Sequence, residues 1–220
     1  MTIKENMLQF WNRPTLDEAK VYISSPENWE KETPYHVDLI LNGEKNIHRY
    51  VVGLPQSSLM VDIGAGVGRL IKEVNLQTGA DIAGFDISEK MVSYSQDYLE
   101  KVDGCQVSLV QKPDEPEFNL LDNSVDLVYS LIVFQHLPTR ELICKYLKES
   151  LRVLKVGGMI RVQTHRGLPP PPGEFHGFAG HMYPNIETFA KEFSDVGFKI
   201  LNTQDGLGHP EWLWVTAVKE

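Results

Sequence analysis

Three glycines separated by single residues, in Val61-Asp-Ile-Gly-Ala-Gly-Val-Gly-Arg-Leu70, are the residues of this chain best suited to hold a ligand. A short apolar run, Leu59-Met-Val-Asp-Ile63, leads into them, and the helical pattern Leu70-Ile-Lys-Glu-Val74 leads out. Glycine there lets the backbone turn tightly and lets a ligand approach without meeting a Cβ. The same spacing also fits a turn that holds nothing. Asp86 tips the balance, because it closes the next apolar run, Ile82-Ala-Gly-Phe-Asp86. A carboxylate at that place accepts hydrogen bonds from ribose hydroxyls, although it could also help cap the helix after Ile87. Turn and acid together point to a nucleoside-type cofactor. The Gly64-Ala-Gly66-Val-Gly68 spacing differs from the G-x-G-x-x-G that serves a dinucleotide pyrophosphate.

A repeated alternation of strands and helices must position these residues. After the two runs above, a helix starts near Ser88, a good N-cap, with Met91, Tyr98, Leu99 and Val102 roughly on one face. Gln106–Val110 reads as a third strand and Val125–Tyr129 as a fourth, the latter introduced by the turn-like Asp122-Asn-Ser124. A helix over about 140–154 follows, ended by Gly157-Gly158, and then a fifth strand, Met159–Thr164. Asn185 caps a helix with an apolar stripe from Ile186 to Val196, closed by Gly197. Phe198–Asn202 and Trp212–Val218 complete the chain as an antiparallel hairpin. Such alternation predicts a mainly parallel sheet with helices on both faces and a ligand site beyond the carboxyl ends of the strands.

Two segments stand outside the alternation. Residues 1–57 carry helical and loop patterns without a core strand. Residues 165–184 form a Gly/Pro-rich loop holding His165, His176, His181 and four prolines at 169–172.

Composition narrows the functions. Hydrophobic residues make up 42% and charged residues 23% of 220, as in a soluble globular chain. The longest mainly apolar stretch, Val125–Phe134, already contains Asp126 and Ser130 and is too short to span a bilayer. No signal-peptide pattern opens the chain, and two cysteines without metal-type spacing suit a reducing cytoplasm. The net charge of −9 argues against a nucleic-acid-binding face. Partners are therefore expected to be small molecules, with neither nucleic acid nor membrane.

Four blocks in order carry a family resemblance. Asp62-Ile-Gly-Ala-Gly-Val-Gly68 resembles motif I of the class I S-adenosylmethionine-dependent methyltransferases, and Gly84-Phe-Asp-Ile-Ser-Glu-Lys-Met91 their second-strand motif. Asp122-Asn-Ser-Val-Asp-Leu-Val-Tyr129 resembles the fourth-strand motif, and Leu151-Arg-Val-Leu-Lys-Val-Gly-Gly-Met-Ile160 the block leading into strand five. The resemblance covers residues 59–164 and extends to the poorly characterised bacterial methyltransferases of type 11/25. It implies an α/β, Rossmann-like, seven-stranded, mostly parallel sheet with an antiparallel terminal strand and helices on both faces. The expected organisation is a methyltransferase domain over 58–220, preceded by a helical lid over 1–57 and crossed by a substrate-covering loop at 165–184.

The resemblance assigns S-adenosylmethionine as cofactor and implies which residues hold it. Asp62, Gly64, Ala65, Gly66 and Gly68 belong to the turn under the methionine and ribose. Asp86 would take the ribose hydroxyls, with Ile87 and Met91 near the adenine, and Ser130 and Leu131 would border the sulfonium. Arg69 could reach the methionine carboxylate or stand solvated at its helix start. Many relatives carry an acid after strand three for the adenine amino group. Here Gln111 could accept that bond through its amide oxygen, or a backbone group could.

Methyl transfer needs alignment, exclusion of water and sometimes removal of a proton, so the acceptor leaves little mark. Ser130-Leu-Ile-Val133 is not the Asn/Asp-Pro-Pro-aromatic motif of base-amino methylation, nor does it offer the acid of metal-assisted catechol-type enzymes, so no catalytic metal is expected. Phe134-Gln-His-Leu-Pro138 resembles a segment common in those bacterial methyltransferases. His136 could act there as a base or pack under the next helix, and His181 is a second candidate base in the loop. Trp11, Trp29, Tyr35 and His36 could close over the site or pack against the sheet. The expected function is O- or N-methylation of an unidentified small acceptor. The competing readings are an NAD-dependent oxidoreductase, for which no Tyr-Lys pair can be placed, and a non-catalytic cofactor-binding module. The sequence does not specify an oligomeric state.

Overall fold

The computed structural model describes residues 3–12, 15–18, 28–168 and 180–220. Helix α1 (Ile3–Trp11) is followed by α2 (Thr33–Leu41), α3 (Lys45–Val52), β1 (Leu59–Ile63), α4 (Arg69–Thr78), β2 (Asp81–Asp86), α5 (Glu89–Tyr98), β3 (Cys105–Leu109) and β4 (Val125–Ser130). A 3₁₀ turn (Phe134–His136) leads to α6 (Arg140–Val153), β5 (Leu154–His165), α7 (Ile186–Val196), β6 (Lys199–Asp205) and β7 (Trp212–Val218).

The seven strands form one sheet in the order β3-β2-β1-β4-β5-β7-β6. The first five run parallel, and β7 lies antiparallel between β5 and β6. The expected sheet and its antiparallel strand are therefore present. Every residue of β4 is buried and β1 is nearly so, as expected for central parallel strands covered on both faces. The strand order reverses between β1 and β4, which leaves a crevice beyond their carboxyl ends.

Local chemistry sets the helix starts. Ser88 Oγ accepts from the Met91 amide, Thr139 from Leu142 and Asn185 from Thr188, each satisfying an N-terminal N–H. One expectation is corrected. Gly157-Gly158 does not end a helix, because α6 stops at Val153 and the chain enters β5 directly at Leu154. The glycines lie where the β4–β5 register shifts, with Gly157 at φ +81°, so they shape a bulge.

Helices α2 and α3 share a core with the sheet. Val37, Ile40 and Ile47 pack in one cluster with Met60, Ile71 and Leu127. A buried guanidinium fastens this junction: Arg161 of β5 donates to the Leu39 carbonyl, Thr216 Oγ1 and Gln204 Oε1, and lies 4.5 Å over the Trp214 ring. Among the described residues no helix is long and apolar enough to cross a membrane.

Candidate functional site

The ends of β1, β2 and β4 open into a cleft. Gly64, Ala65 and Gly66 form its floor together with Arg69 and Leu70. Asp86, Ile87 and Met91 stand on one side, and Leu131, Ile132, Val133 and His136 on the other. Met7 and Trp11 of α1 border it as well.

The two lining glycines differ in purpose. A Cβ on Gly64 would fall 2.3 Å from Val133 Cγ2, whereas one on Gly66 would meet nothing within 4 Å. Gly64 is thus small so that the end of β4 can close on it. Gly66, at φ +55°, leaves an open cradle in the cleft. Gly68 caps α4 in the left-handed conformation and packs against Leu99, away from the lining.

Asp86 is tied to this turn. Its Oδ2 accepts from the Gly66 amide at 2.8 Å and its Oδ1 from the Ser88 amide at 2.9 Å. Burial raises its carboxyl above the ordinary range, while hydrogen bonds from Ser88, Gly66 and Ile87 oppose the rise. Each carboxylate oxygen keeps capacity for a further donor, and the residue borders the cleft.

Arg69 is not solvated, being only 6% exposed. Its Nη1 donates to Thr33 Oγ1 at 3.2 Å and lies 3.0 Å from His36 Nδ1. Arg69 is a donor only, so His36 accepts at Nδ1 and carries its proton on Nε2. Burial and then the Arg69 charge lower the His36 pKa to about 4. Burial brings Arg69 itself down to about 10, with Asp62 opposing, so it stays cationic at neutral pH.

Asp62 lies under the turn and outside the lining. Burial pushes its carboxyl well above the usual range, and its Oδ2 has no hydrogen-bond partner among the described residues. Ser130 Oγ donates to the Ile63 carbonyl at 2.9 Å and joins the ends of β1 and β4, also off the lining. Gln111 is exposed and borders no part of the cleft.

Past β4, Ile132 adopts φ +60°, which costs a β-branched residue about 1–3 kcal/mol. His136 is buried, with its ring 5.1 Å from Trp11 in an edge-on contact. His181 sits outside the lining, edge-on to Tyr183 at 5.0 Å, and its amide donates to the Leu137 carbonyl. Burial lowers its pKa. Trp29 packs with Val67 and Met91, and Tyr35 is half exposed. His176 and the prolines at 169–172 lie outside the described residues. Among those residues no cluster suits a metal ion.

Met7, Phe85, Ile132, Val133, Leu137 and Tyr146 line the cleft without having been singled out in the sequence. Apolar residues give no sign of whether they face a core or a cavity. Thr33, which helps hold Arg69, had no motif around it.

The cleft, its glycine floor and the acid beside it coincide with a match to a known family. Residues 61–162 fit the family model described as a methyltransferase domain. The chain is 34% identical over 114 residues to the sterol 24-C-methyltransferase of Yarrowia lipolytica, an alignment covering 51% of this chain and 29% of that protein. The chain thus spans less than a third of that relative's length. Its fold is similar to that of geranyl diphosphate C-methyltransferase from Streptomyces coelicolor, solved with Mg²⁺, geranyl diphosphate and S-adenosyl-L-homocysteine. That match has a TM-score of 0.72 and 13% identity, and covers 100% of this chain and 99% of the other. Phosphoethanolamine N-methyltransferase 2 of Haemonchus contortus, solved with phosphomonomethylethanolamine and S-adenosylhomocysteine, matches with a TM-score of 0.70 at 15% identity over 97% of this chain and 60% of that one.

Proposed function

We propose that this chain transfers a methyl group from S-adenosylmethionine to a small organic acceptor with a mainly apolar body. The observation that carries the reading is the Gly66–Asp86 hydrogen bond at the edge of the cleft, which aims a carboxylate into a space left open by a glycine floor. When bound, the cofactor supplies an electrophilic methyl group on a sulfonium.

This chain's own residues do the rest. Asp86 accepts hydrogen bonds from the ribose hydroxyls, Ile87 and Met91 flank the adenine, and Gly66, beside Gly64 and Ala65, leaves the backbone room. Arg69, cationic and buried at the floor, receives the methionine carboxylate. Leu131, Ile132 and Val133 exclude water from the reacting end, and His136 takes a proton from acceptors that must lose one. The apolar side chains around this end support an acceptor with an apolar body. The names of the relatives extend the acceptor atom from oxygen and nitrogen to carbon. Two free thiols, Cys105 and Cys144, and the acidic balance support a reducing, cytoplasmic setting without nucleic-acid partners.

Titration calorimetry of the whole chain with S-adenosylmethionine, S-adenosylhomocysteine and NAD tests the reading. Binding of the two sulfur nucleosides is expected, followed by homocysteine-containing product in a screen of apolar acceptors. Binding of NAD instead would transfer the cleft to the oxidoreductase reading.

A further inference from the structure

β4 ends at Ser130, and regular strand alternation would send Leu131 and Val133 to one face and Ile132 to the other. All three residues line the cleft instead, and the positive φ of Ile132 is where the alternation breaks. The Ile132 N–H, turned out of the ladder, is taken by Gln163 Oε1 at 2.8 Å.

Gln163 is fully buried in β5. Its Nε2 donates to the Thr164 carbonyl at 2.6 Å and to Gln135 Oε1 at 3.3 Å. A buried amide is costly unless its polar atoms are bonded, and here both ends of the amide are bonded. One side chain therefore ties the left-handed residue to the 3₁₀ turn that carries His136. Gln163 does not itself line the cleft.

We infer that Gln163 is a positioning residue whose amide holds Ile132 in the left-handed conformation. It thereby fixes Leu131–Val133 as an apolar wall where donor and acceptor meet. What the wall contacts rests on the methyltransferase reading; the clamp on Ile132 does not.

A double-mutant cycle on the full chain tests it, read by calorimetry with S-adenosylhomocysteine and by melting temperature. Gln163→Leu removes the acceptor for the Ile132 amide, and affinity is expected to fall about tenfold. Glycine takes a positive φ without a clamp. In the Ile132→Gly background, Gln163→Leu should therefore cost less than about threefold, and the melting temperature should drop less as well. An equal loss in both backgrounds overturns the proposal, since Gln163 would then act only by filling space. Hydrogen exchange of the Ile132 amide in the unmodified protein serves if Gln163→Leu does not fold. Protection comparable to the amides of β4 is expected, and rapid exchange overturns the clamp. Failure of the unmodified protein to bind S-adenosylhomocysteine sinks the methyltransferase reading alone, and the melting and exchange data still decide the clamp.

Discussion

The amide of Gly66 and the carboxylate of Asp86 meet at 2.8 Å, so the glycine turn after β1 and the acid closing β2 form one unit. A hydrogen bond to an ionised acceptor is stronger than a neutral one. It orients the carboxylate and leaves its other lone pairs for a ligand.

Asp86→Asn removes the charge and presents an amide that satisfies only one of the two backbone donors. Affinity for S-adenosylhomocysteine is expected to fall about 10- to 100-fold, equivalent to about 1.5–3 kcal/mol. Unchanged affinity by calorimetry would contradict the ribose role.

Gly64→Ala and Gly66→Ala should separate packing from ligand space. The first drives a Cβ into Val133 and should lower the melting temperature by several degrees. The second meets no protein atom, so it should cost only about 1–2 kcal/mol of backbone strain while reducing cofactor affinity more than tenfold. Equal thermal losses with equal binding would remove this distinction.

His36 makes docking of α2 pH-sensitive. Its pKa lies at about 4 in the fold against an ordinary 6.5, so between these values the unfolded chain binds a proton that the folded one refuses. The stabilisation is therefore full above pH 6.5 and is lost as pH falls toward 4, at no more than about 1.4 kcal/mol per unit. The melting-temperature advantage of the unmodified protein over His36→Gln should shrink from pH 7 to pH 5. A constant difference would exclude His36 as the origin.

Ser88 connects the cofactor side of the cleft to α1. Its Oγ accepts from the Met91 amide and lies 2.9 Å from the Trp11 carbonyl and 3.0 Å from Asn12 Oδ1. Ser88→Ala should cost about 1 kcal/mol through the lost cap and accelerate amide exchange in residues 5–12. Unaltered exchange there would mean that other contacts hold α1.

The scaffold was legible wherever burial on both faces writes itself as a continuous apolar run, as in Leu59–Ile63 and Val125–Tyr129. Ser88, Asn185 and Gly197 marked helix ends because their chemistry acts within one turn. Gly157-Gly158 misled, since a glycine pair after a helix and one at a bulge look alike locally. Gln163 left a signal that could have been followed: a polar amide inside the buried strand Met159–Thr164 must have partners. Ile132 left none, because a β-branched side chain argues against the conformation it adopts. The roof of the cleft was also partly hidden. Trp11 was among the aromatics expected near it, whereas Met7 reaches it through tertiary contacts that no local pattern encodes.

The insertion of β7 between β5 and β6 has a consequence for biosynthesis. While the ribosome is still making residues before 212, β5 presents a bare edge along Met159–His165, the stretch later covered by β7. Such an edge can recruit a neighbouring nascent chain. Polysomes crowded on this message would be most prone to aggregate in the interval before Trp212–Val218 emerges and completes the sheet.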